Sequence, residues 1–232
     1  MIVIISAAMS VDGKLSTWKG DSRISSLSDL KRVHRLRSDV DGILVGISTV
    51  LNDDPLLNVR FIRCTKIKKN PTRVVIDSTA RIPIKSQIVK TAKDIRTVLV
   101  VTKSAPENKL DLLREQKLKI IVSGERGKKV DLDNALKQLE SEFGIKKILV
   151  EGGGEINWSI IKNNLFDKLI ITISPLAIGG RDAITLIEGK GFDSIRECVK
   201  LELSKILKKS NGEIVVYYNN IKKNIYIDKK SF

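Results

Sequence analysis

The chain has 232 residues, of which 42% are hydrophobic, so it can bury a core as one domain or as two fused halves. Its 42 Lys and Arg residues against 27 Asp and Glu residues give a formal net charge of +15, which favours anionic partners. The basic residues are scattered and only 4% of residues are aromatic, which disfavours a nucleic-acid-binding module. We interpret the surplus charge as a solvated surface with a local anion site.

The cysteines and the first segment bear on the compartment. Cys64 and Cys198 lie far apart and form no C-x-x-C pair, so a disulfide scaffold and a zinc site are both disfavoured. The apolar residues 1–9 have no basic leader and are too few for a signal peptide or a membrane span. We therefore predict a cytoplasmic protein with no metal, no membrane partner and no nucleic-acid partner, whose first segment is a buried strand.

Short apolar runs rich in valine and isoleucine recur along the chain. Each run is nearly unbroken, as is typical of strands that are covered on both faces of a sheet. The predicted strands span residues 2–8, 42–45, 73–77, 97–101, 119–122, 147–150 and 168–173.

Helical patterns alternate with these runs. Residues 25–37 and 133–143 carry apolar residues at spacings of three and four, which places them on one helix face, and Asp131 or Asp133 is available to cap the second helix. Near the end, residues 200–207 and 212–218 predict two strands joined by a turn that contains Asn211-Gly212, a pair typical of hairpins.

This alternation predicts the α/β class, with a mainly parallel sheet that is finished by an antiparallel hairpin. The sequence has no internal repeat, low-complexity segment or Pro/Gly-rich linker. We predict a single domain over residues 1–220, followed by a basic tail over residues 221–232.

The stretch EGGGEINWS, residues 151–159, joins a predicted strand to a helical segment through three glycines. A strand, a glycine turn and a helix point backbone N–H groups and the positive helix end at a phosphate. The triplet is not G-x-G-x-x-G, and the first strand ends in Ala7-Ala8-Met9, so a Rossmann domain is disfavoured. The alternative is close strand–helix packing without a ligand.

Two more polar segments follow predicted strands. After the first strand, Asp12-Gly13 forms a turn, and Lys14 is a candidate acid or anion ligand at the edge where α/β sheets place ligands. After the second strand, Thr49 and Asp53 lie four residues apart and share a face if the segment is helical; simple capping is the alternative.

The remaining basic residues give weaker signals. Arg37 and Arg60 are by default solvated side chains, and the only histidine, His34, is more typical of a packed residue than of a catalyst. The sequence has no H-x-E with P-C-x-x-C, which excludes zinc-dependent deamination, and it has no nucleophile–base or kinase motif.

Taken together, several motifs resemble the riboflavin-biosynthesis reductase family, in its stand-alone archaeal form. The resemblance runs from residue 2 to about residue 219, and the motifs that carry it are MSVDGKLST, DSRIS, VHRLRSDVDGILVGISTVLNDDPLL, RVVIDS, VEGGGEINWS and ISPLAIGG. It implies a three-layer fold like that of dihydrofolate reductase, NADPH as cofactor and a homodimer. It also implies reduction of the ribosyl group of 2,5-diamino-6-ribosylamino-4(3H)-pyrimidinone 5′-phosphate to a ribityl chain.

The resemblance also implies roles for residues at matching positions. The implied catalytic groups around the reacting carbon are Lys14 and Glu151. The implied cofactor contacts are Thr49, Asp53, Ser78, Gly153, Gly154, Glu155, Ile156 and Asn157, and we add Arg81 beside Ser78 as a cation for the 2′-phosphate of NADPH. The implied substrate contacts are Asp12, Ser22, Arg37, Leu57, Arg60 and Glu151, with Arg37 and Arg60 as cations for the substrate phosphate.

One residue departs from the family, and two related activities stay open. Glu155 stands where relatives commonly carry a small or hydroxyl residue, and its carboxylate is expected to point away from a pyrophosphate. A reductase of the deaminated uracil substrate, 5-amino-6-ribosylamino-uracil 5′-phosphate, is one alternative. Dihydrofolate reductase is the other; it would usually need an acidic residue in the helix after the first strand, for which Asp29 is the only nearby candidate.

Overall fold

The computed structural model describes residues 1–62 and 70–221. Cys64 and nearly all of the predicted basic tail lie outside the described residues. Within the described ranges, no helix is long and apolar enough to cross a membrane.

Nine strands in the described ranges form one continuous sheet. Their bounds are β1 Ile2–Ser10, β2 Gly42–Gly46, β3 Thr72–Ile76, β4 Thr97–Val101, β5 Lys119–Val122, β6 Lys147–Val150, β7 Lys168–Ser174, β8 Leu201–Lys208 and β9 Ile214–Asn220. The order across the sheet is β5-β4-β3-β2-β6-β1-β7-β9-β8. The pairs from β5 to β7 are parallel, and β9 is antiparallel to both β7 and β8. The predicted α/β class, with its mainly parallel sheet and final hairpin, is confirmed.

In the part of the chain that the structure describes, six α-helices cover the sheet: α1 Leu27–Ser38, α2 Ile47–Asp53, α3 Gln87–Lys90, α4 Glu107–Glu115, α5 Leu132–Phe143 and α6 Gly154–Lys162. The apolar residues of α5 and α6 join one buried cluster with alternate residues of the strands. The apolar residues of α2, α3 and α4 join a second buried cluster with the other strand residues. The two clusters lie on opposite faces of the sheet, which gives three layers as predicted.

Several boundaries differ from the predicted ones for local reasons. Helix α1 begins at Leu27 because Ser26 is its N-cap, and Asp131 is the N-cap of α5. Strand β1 runs on to Ser10 because it stays paired with β7 as far as Ser174. Helices α3 and α4 were not predicted, since the first is a single turn and the second buries only two leucines.

A gap opens in the middle of the sheet, at the carboxyl ends of its parallel strands. Strand β1 pairs with β6 only over Ile2 to Ile5, because β6 ends at Val150, whereas β1 continues beside β7. The carboxyl ends of β1 and β6 therefore part, and such a gap is where open α/β sheets bind ligands.

A buried arginine stabilises the wall next to this gap through hydrogen bonds. Arg73 on β3 is fully buried, and its guanidinium donates to the Thr91 and Thr97 hydroxyls and to the carbonyls of Ile88, Ile95 and Leu56. Burial lowers the pKa of Arg73 to about 10. The bond to the Leu56 carbonyl, at 3.3 Å, fixes the chain beside Leu57, which faces the gap.

Candidate active site

A cavity of about 360 Å³ fills the gap between the ends of β1 and β6. Its wall consists of β1, the segment between β1 and α1, the inner face of α1, helix α2, and the turn from β6 into α6. Ten of the sixteen predicted site residues line it: Ser22, Arg37, Thr49, Asp53, Leu57, Glu151, Gly153, Gly154, Glu155 and Ile156.

Helix α2 presents a polar face to the cavity. The predicted helical turn forms, and Thr49 and Asp53 both line the cavity. Burial raises the pKa of Asp53, and a hydrogen bond from Ser22, whose Oγ lies 3.4 Å from Oδ1, partly opposes that rise. Ser48 and Asn52, which were not predicted, lie on the same face.

The three glycines of the turn have three different surroundings. Gly152 has φ +89°, a region that favours glycine, and the Gly152–Gly153 peptide bond is cis. A Cβ on Gly154 would lie 2.5 Å from the Thr185 carbonyl oxygen, so this glycine is required by packing. A Cβ on Gly153 would have only the Thr49 hydroxyl within 4 Å, at 3.9 Å, and both residues line the cavity. Packing alone therefore explains Gly154 but not Gly153.

Two helix N-termini open onto the cavity side by side. Gly46 is the N-cap of α2 and Gly153 is the N-cap of α6, and neither cap makes a side-chain hydrogen bond. The Gly46 N–H donates to the Gly152 carbonyl at 2.9 Å, which holds the two turns together. Uncapped helix N-termini offer backbone N–H groups and positive dipole ends to an anion. This part of the wall fits a phosphate or pyrophosphate group.

Arg37 and Glu151 form a bidentate ion pair at the cavity wall. Arg37 Nε and Nη2 donate to the two carboxylate oxygens of Glu151 at 2.8 and 2.7 Å, and Nη1 donates to the Asn58 carbonyl. The side chains are only 11% and 13% exposed. Burial favours a lower pKa for Arg37, but the charge and hydrogen bonds of Glu151 outweigh it and the pKa rises. The default interpretation of Arg37 as a solvated side chain is wrong, and its guanidinium is already engaged within the protein.

Arg60 and His34 lie behind this pair. The backbone N–H of Arg60 donates to His34 Nδ1 at 3.0 Å, and the exposed Arg60 side chain donates to Asn58 Oδ1. Burial, followed by the charges of Arg37 and Arg60, lowers the pKa of His34 to about 4. His34 is thus a packed neutral residue at neutral pH, and the Arg60 guanidinium does not line the cavity.

Asp12 and Lys14 lie at the rim and do not line the cavity. The Asp12 carboxylate accepts hydrogen bonds from the backbone N–H groups of Ile178 and Gly179, at 3.0 and 2.7 Å. A hydrogen bond from Ser10, followed by these two, lowers the pKa of Asp12. Lys14 Nζ donates to the Ala183 carbonyl at 3.3 Å. Asp12 therefore fastens a loop, and Lys14 would have to leave Ala183 to reach a ligand in the cavity.

The other three predicted contacts also lie outside the cavity lining. Ser78 and Arg81 follow β3, and the half-exposed Arg81 guanidinium lies 3.8 Å from the Asp77 carboxylate. Asn157 is buried in α6, where its Nδ2 donates to the Leu186 carbonyl. Asn157 thus connects α6 to the loop at Leu186, whereas the Arg81 guanidinium is accessible from solvent.

Further polar residues that were not predicted line the cavity, and Ser6 and Glu188 are two of them. The Ser6 hydroxyl on β1 is buried, and among the described residues it has no hydrogen-bond partner. Glu188 lies against the glycine turn, and its backbone N–H donates to the Gly154 carbonyl. Burial, and secondarily the charge of Glu155, raises the pKa of Glu188. Glu155 itself pairs with Lys129 at 3.1 Å, which draws its carboxylate outward. In the described part of the chain, no cluster of three or more potential metal ligands occurs.

The sheet order, the three layers and the glycine turn beside the cavity define a dihydrofolate-reductase-like α/β protein. The structure is similar to a dihydrofolate reductase from Enterococcus faecalis, with a TM-score of 0.53 and 12% identity over 95% of this chain and 97% of the other. The chain belongs to the RibD C-terminal domain family, which it matches over residues 1–215.

Relatives within this family are named as reductases of riboflavin biosynthesis. The chain is 40% identical to the 2,5-diamino-6-ribosylamino-4(3H)-pyrimidinone 5′-phosphate reductase of Methanothermobacter thermautotrophicus, over 93% of this chain and 96% of the relative. The solved yeast riboflavin biosynthesis reductase Rib7 has a TM-score of 0.70 and 23% identity, over 94% of this chain and 89% of the other. The resemblance inferred from the motifs is confirmed.

Proposed function

We propose that this chain is an NADPH-dependent reductase that converts the ribosyl group of 2,5-diamino-6-ribosylamino-4(3H)-pyrimidinone 5′-phosphate to a ribityl chain. The observation that carries the proposal is the 40% identity to a reductase of that name along nearly the whole of both chains. The cavity, with its ten predicted residues, supports it as the place of reaction.

The residues present fit a dinucleotide cofactor. A reductase family with this fold suggests a nicotinamide cofactor, and we assign NADPH in particular. Gly153 and Gly46 would hold its pyrophosphate at the two helix N-termini, with Thr49 and Asp53 alongside. Ser78 and Arg81, at the carboxyl end of β3, would receive the 2′-phosphate. When bound, the cofactor supplies hydride.

The substrate would occupy the other half of the cavity, between α1, Leu57 and Glu151. Opening of the sugar ring gives an imine, hydride adds to its C1′ carbon, and the nitrogen takes up one proton. Lys14 at the rim and Glu151 in the wall are the proposed groups that support this charge change. Because Arg37 is paired with Glu151, we assign it the task of holding that carboxylate, and Arg60 remains the proposed phosphate ligand.

The nearest alternative is reduction of the deaminated substrate, in which a carbonyl replaces an amino group on the pyrimidine. Asp29 does not face the cavity but is buried against Arg32 and Thr172, which disfavours a pteridine site of the dihydrofolate reductase kind. Oxidation of NADPH, followed by absorbance with each of the two pyrimidine substrates and with dihydrofolate, tests the proposal. The proposal is contradicted if the protein turns over neither of the two pyrimidine substrates.

We also propose a homodimer in which β8 lies at the interface. Strand β8 is at the edge of the sheet, and its apolar side chains Leu203 and Ile206 are 52% and 55% exposed. An exposed apolar edge strand is a hazard that proteins usually cover. Sedimentation velocity of the purified protein tests this assignment.

Replacing Lys14 with alanine is expected to lower kcat by on the order of a hundredfold, the usual worth of a general acid or base. The affinity for NADPH should change by less than about twofold, since Lys14 is assigned to the reacting carbon of the substrate and not to the cofactor. Steady-state kinetics and cofactor titration measure both. Lys19→Ala, in the same segment but exposed, is the control. A near-normal kcat for Lys14→Ala would leave Glu151 as the proton source.

Replacing Arg81 with alanine is expected to reduce the preference for NADPH over NADH by about tenfold, the worth of one charge-assisted contact. The measurement is kcat/KM for each cofactor. Lys85→Ala removes an exposed cation nearby and should leave the ratio unchanged. The same ratio in both variants would place the 2′-phosphate elsewhere.

A further inference from the structure

The N-terminus of α1 contains half of a capping box. Ser26 is the N-cap, and its Oγ accepts the backbone N–H of Asp29 at 3.1 Å. In a complete capping box, the acidic or amide side chain three residues after the cap returns a hydrogen bond to the backbone N–H of the cap residue. Asp29 occupies that position, so its carboxylate is the expected partner of the Ser26 N–H.

Asp29 does not return this bond, because its carboxylate is used elsewhere. Oδ1 accepts Arg32 Nε at 2.7 Å and the Thr172 hydroxyl at 2.8 Å, and Oδ2 faces the Ser25 hydroxyl at 3.4 Å. Asp29 and Thr172 are both fully buried. The side chain thus ties α1 to β7 instead of closing its own cap.

Glu213, which lies 187 residues further along the chain, supplies the missing bond. Its Oε1 accepts the Ser26 backbone N–H at 2.9 Å, and its Oε2 accepts the Ser26 hydroxyl at 2.7 Å. Glu213 lies at the end of the hairpin turn, directly before β9, and is only 2% exposed. Its negative charge also meets the positive end of the α1 dipole.

We propose that Glu213 is a positioning residue for the substrate wall of the cavity. Ser22, Ile24 and Ser25 precede Ser26 and line the cavity, and Leu30 and Val33 follow it on the inner face of α1. A second bond, from the hydroxyl of Ser174 at the end of β7 to the Ile24 carbonyl at 2.7 Å, holds the same segment. The carboxylate of Glu213 thus fixes where α1 begins and, through Ser26, where the wall residues stand.

The test compares two substitutions of Glu213 with a matched control. Glu213→Asp keeps the charge but is one methylene shorter, so it cannot reach both groups of Ser26. Glu213→Gln keeps the length and an oxygen acceptor for the Ser26 N–H. Glu202→Asp makes the same change at an exposed site on β8 and is the control.

Two measurements distinguish a positioning role of Glu213 from a role in stability alone. Hydrogen exchange of a peptide covering residues 20–33 should be about tenfold faster in Glu213→Asp and near normal in Glu213→Gln and in the control. The kinetic readout rests on the proposed function: KM for the pyrimidine substrate should rise about tenfold in Glu213→Asp, while kcat and NADPH affinity change by less than about threefold.

The outcomes are distinguishable. Faster exchange in that peptide together with a raised KM, and rescue of both by glutamine, supports the proposal. A Glu213→Asp protein with a lower Tm but with unchanged exchange and unchanged KM overturns it, because Glu213 would then be only a stabilising residue. If the wild-type protein turns over neither pyrimidine, the proposed function fails, and the exchange of residues 20–33 with its glutamine rescue still decides the role of Glu213.

Discussion

Replacing Gly153 with valine is expected to weaken NADPH binding by about a thousandfold, roughly 4 kcal/mol, while the free energy of unfolding changes by less than about 1 kcal/mol. The backbone at Gly153 has a φ of −66°, which valine tolerates, and a Cβ there would lie 3.9 Å from Thr49 Oγ1. The added methyl groups would occupy the cavity wall where two helix N-termini meet. Titration calorimetry with NADPH and urea unfolding measure the two effects.

The adjacent glycine is the matched control for this prediction. A Cβ on Gly154 would lie 2.5 Å from the Thr185 carbonyl oxygen, so even Gly154→Ala forces a backbone shift. We expect that variant to lose about 1–3 kcal/mol of stability, as overpacked sites do. If Gly153→Val loses stability in parallel with cofactor affinity, both glycines serve packing and the phosphate assignment fails.

Replacing Arg37 with alanine is expected to lower the free energy of unfolding by about 3–5 kcal/mol, because it leaves the Glu151 carboxylate unpaired in a nearly buried site. It should also lower kcat at least about a hundredfold, since the proposed catalytic carboxylate loses its two fixed hydrogen bonds. This expectation replaces the sequence-based one, in which Arg37 is a ligand of the substrate phosphate.

Three further variants test the Arg37 assignment. Arg35→Ala removes an exposed arginine from the same helix and should change neither quantity. Arg37→Lys keeps the charge but not the two-pronged contact, so it should recover stability only in part. In the double variant with Glu151→Ala, the two stability losses should be strongly non-additive. An Arg37→Ala enzyme of normal stability and raised KM would restore the phosphate assignment.

Most of the fold was predictable because its signals are local. Buried parallel strands read as unbroken apolar runs, and seven of the nine strands were predicted from such runs alone. Helix α3, a single turn, and α4, with two buried leucines, have too little periodicity to be recognised. The positions of the strands in the sheet depend on contacts between distant residues, which a pattern in one segment does not contain.

The same distinction between local signals and long-range contacts applies to the site. The glycine turn and the polar face of α2 follow strands directly, and both face the cavity. The pairing of Arg37 with Glu151 joins residues 114 positions apart, and Glu188 comes from an irregular loop, so neither has a local signal. Asp12, Lys14 and Asn157 were themselves predicted as site residues, but their side chains are directed to backbone groups of the 178–186 segment.

The place of β1 in the sheet has a consequence for synthesis on the ribosome. This strand is made before both of its neighbours, because β6 and β7 begin at Lys147 and Lys168. Until those residues emerge, the mostly buried strand has no partner on either side, and the nascent chain presents two unsatisfied edges to other chains. Folding is also slow, because pairing β1 with β6 and β7 must close the long chain segments between these strands. The nascent chain should therefore need chaperones until β7 has left the exit tunnel, and chains stalled before Lys168 should aggregate.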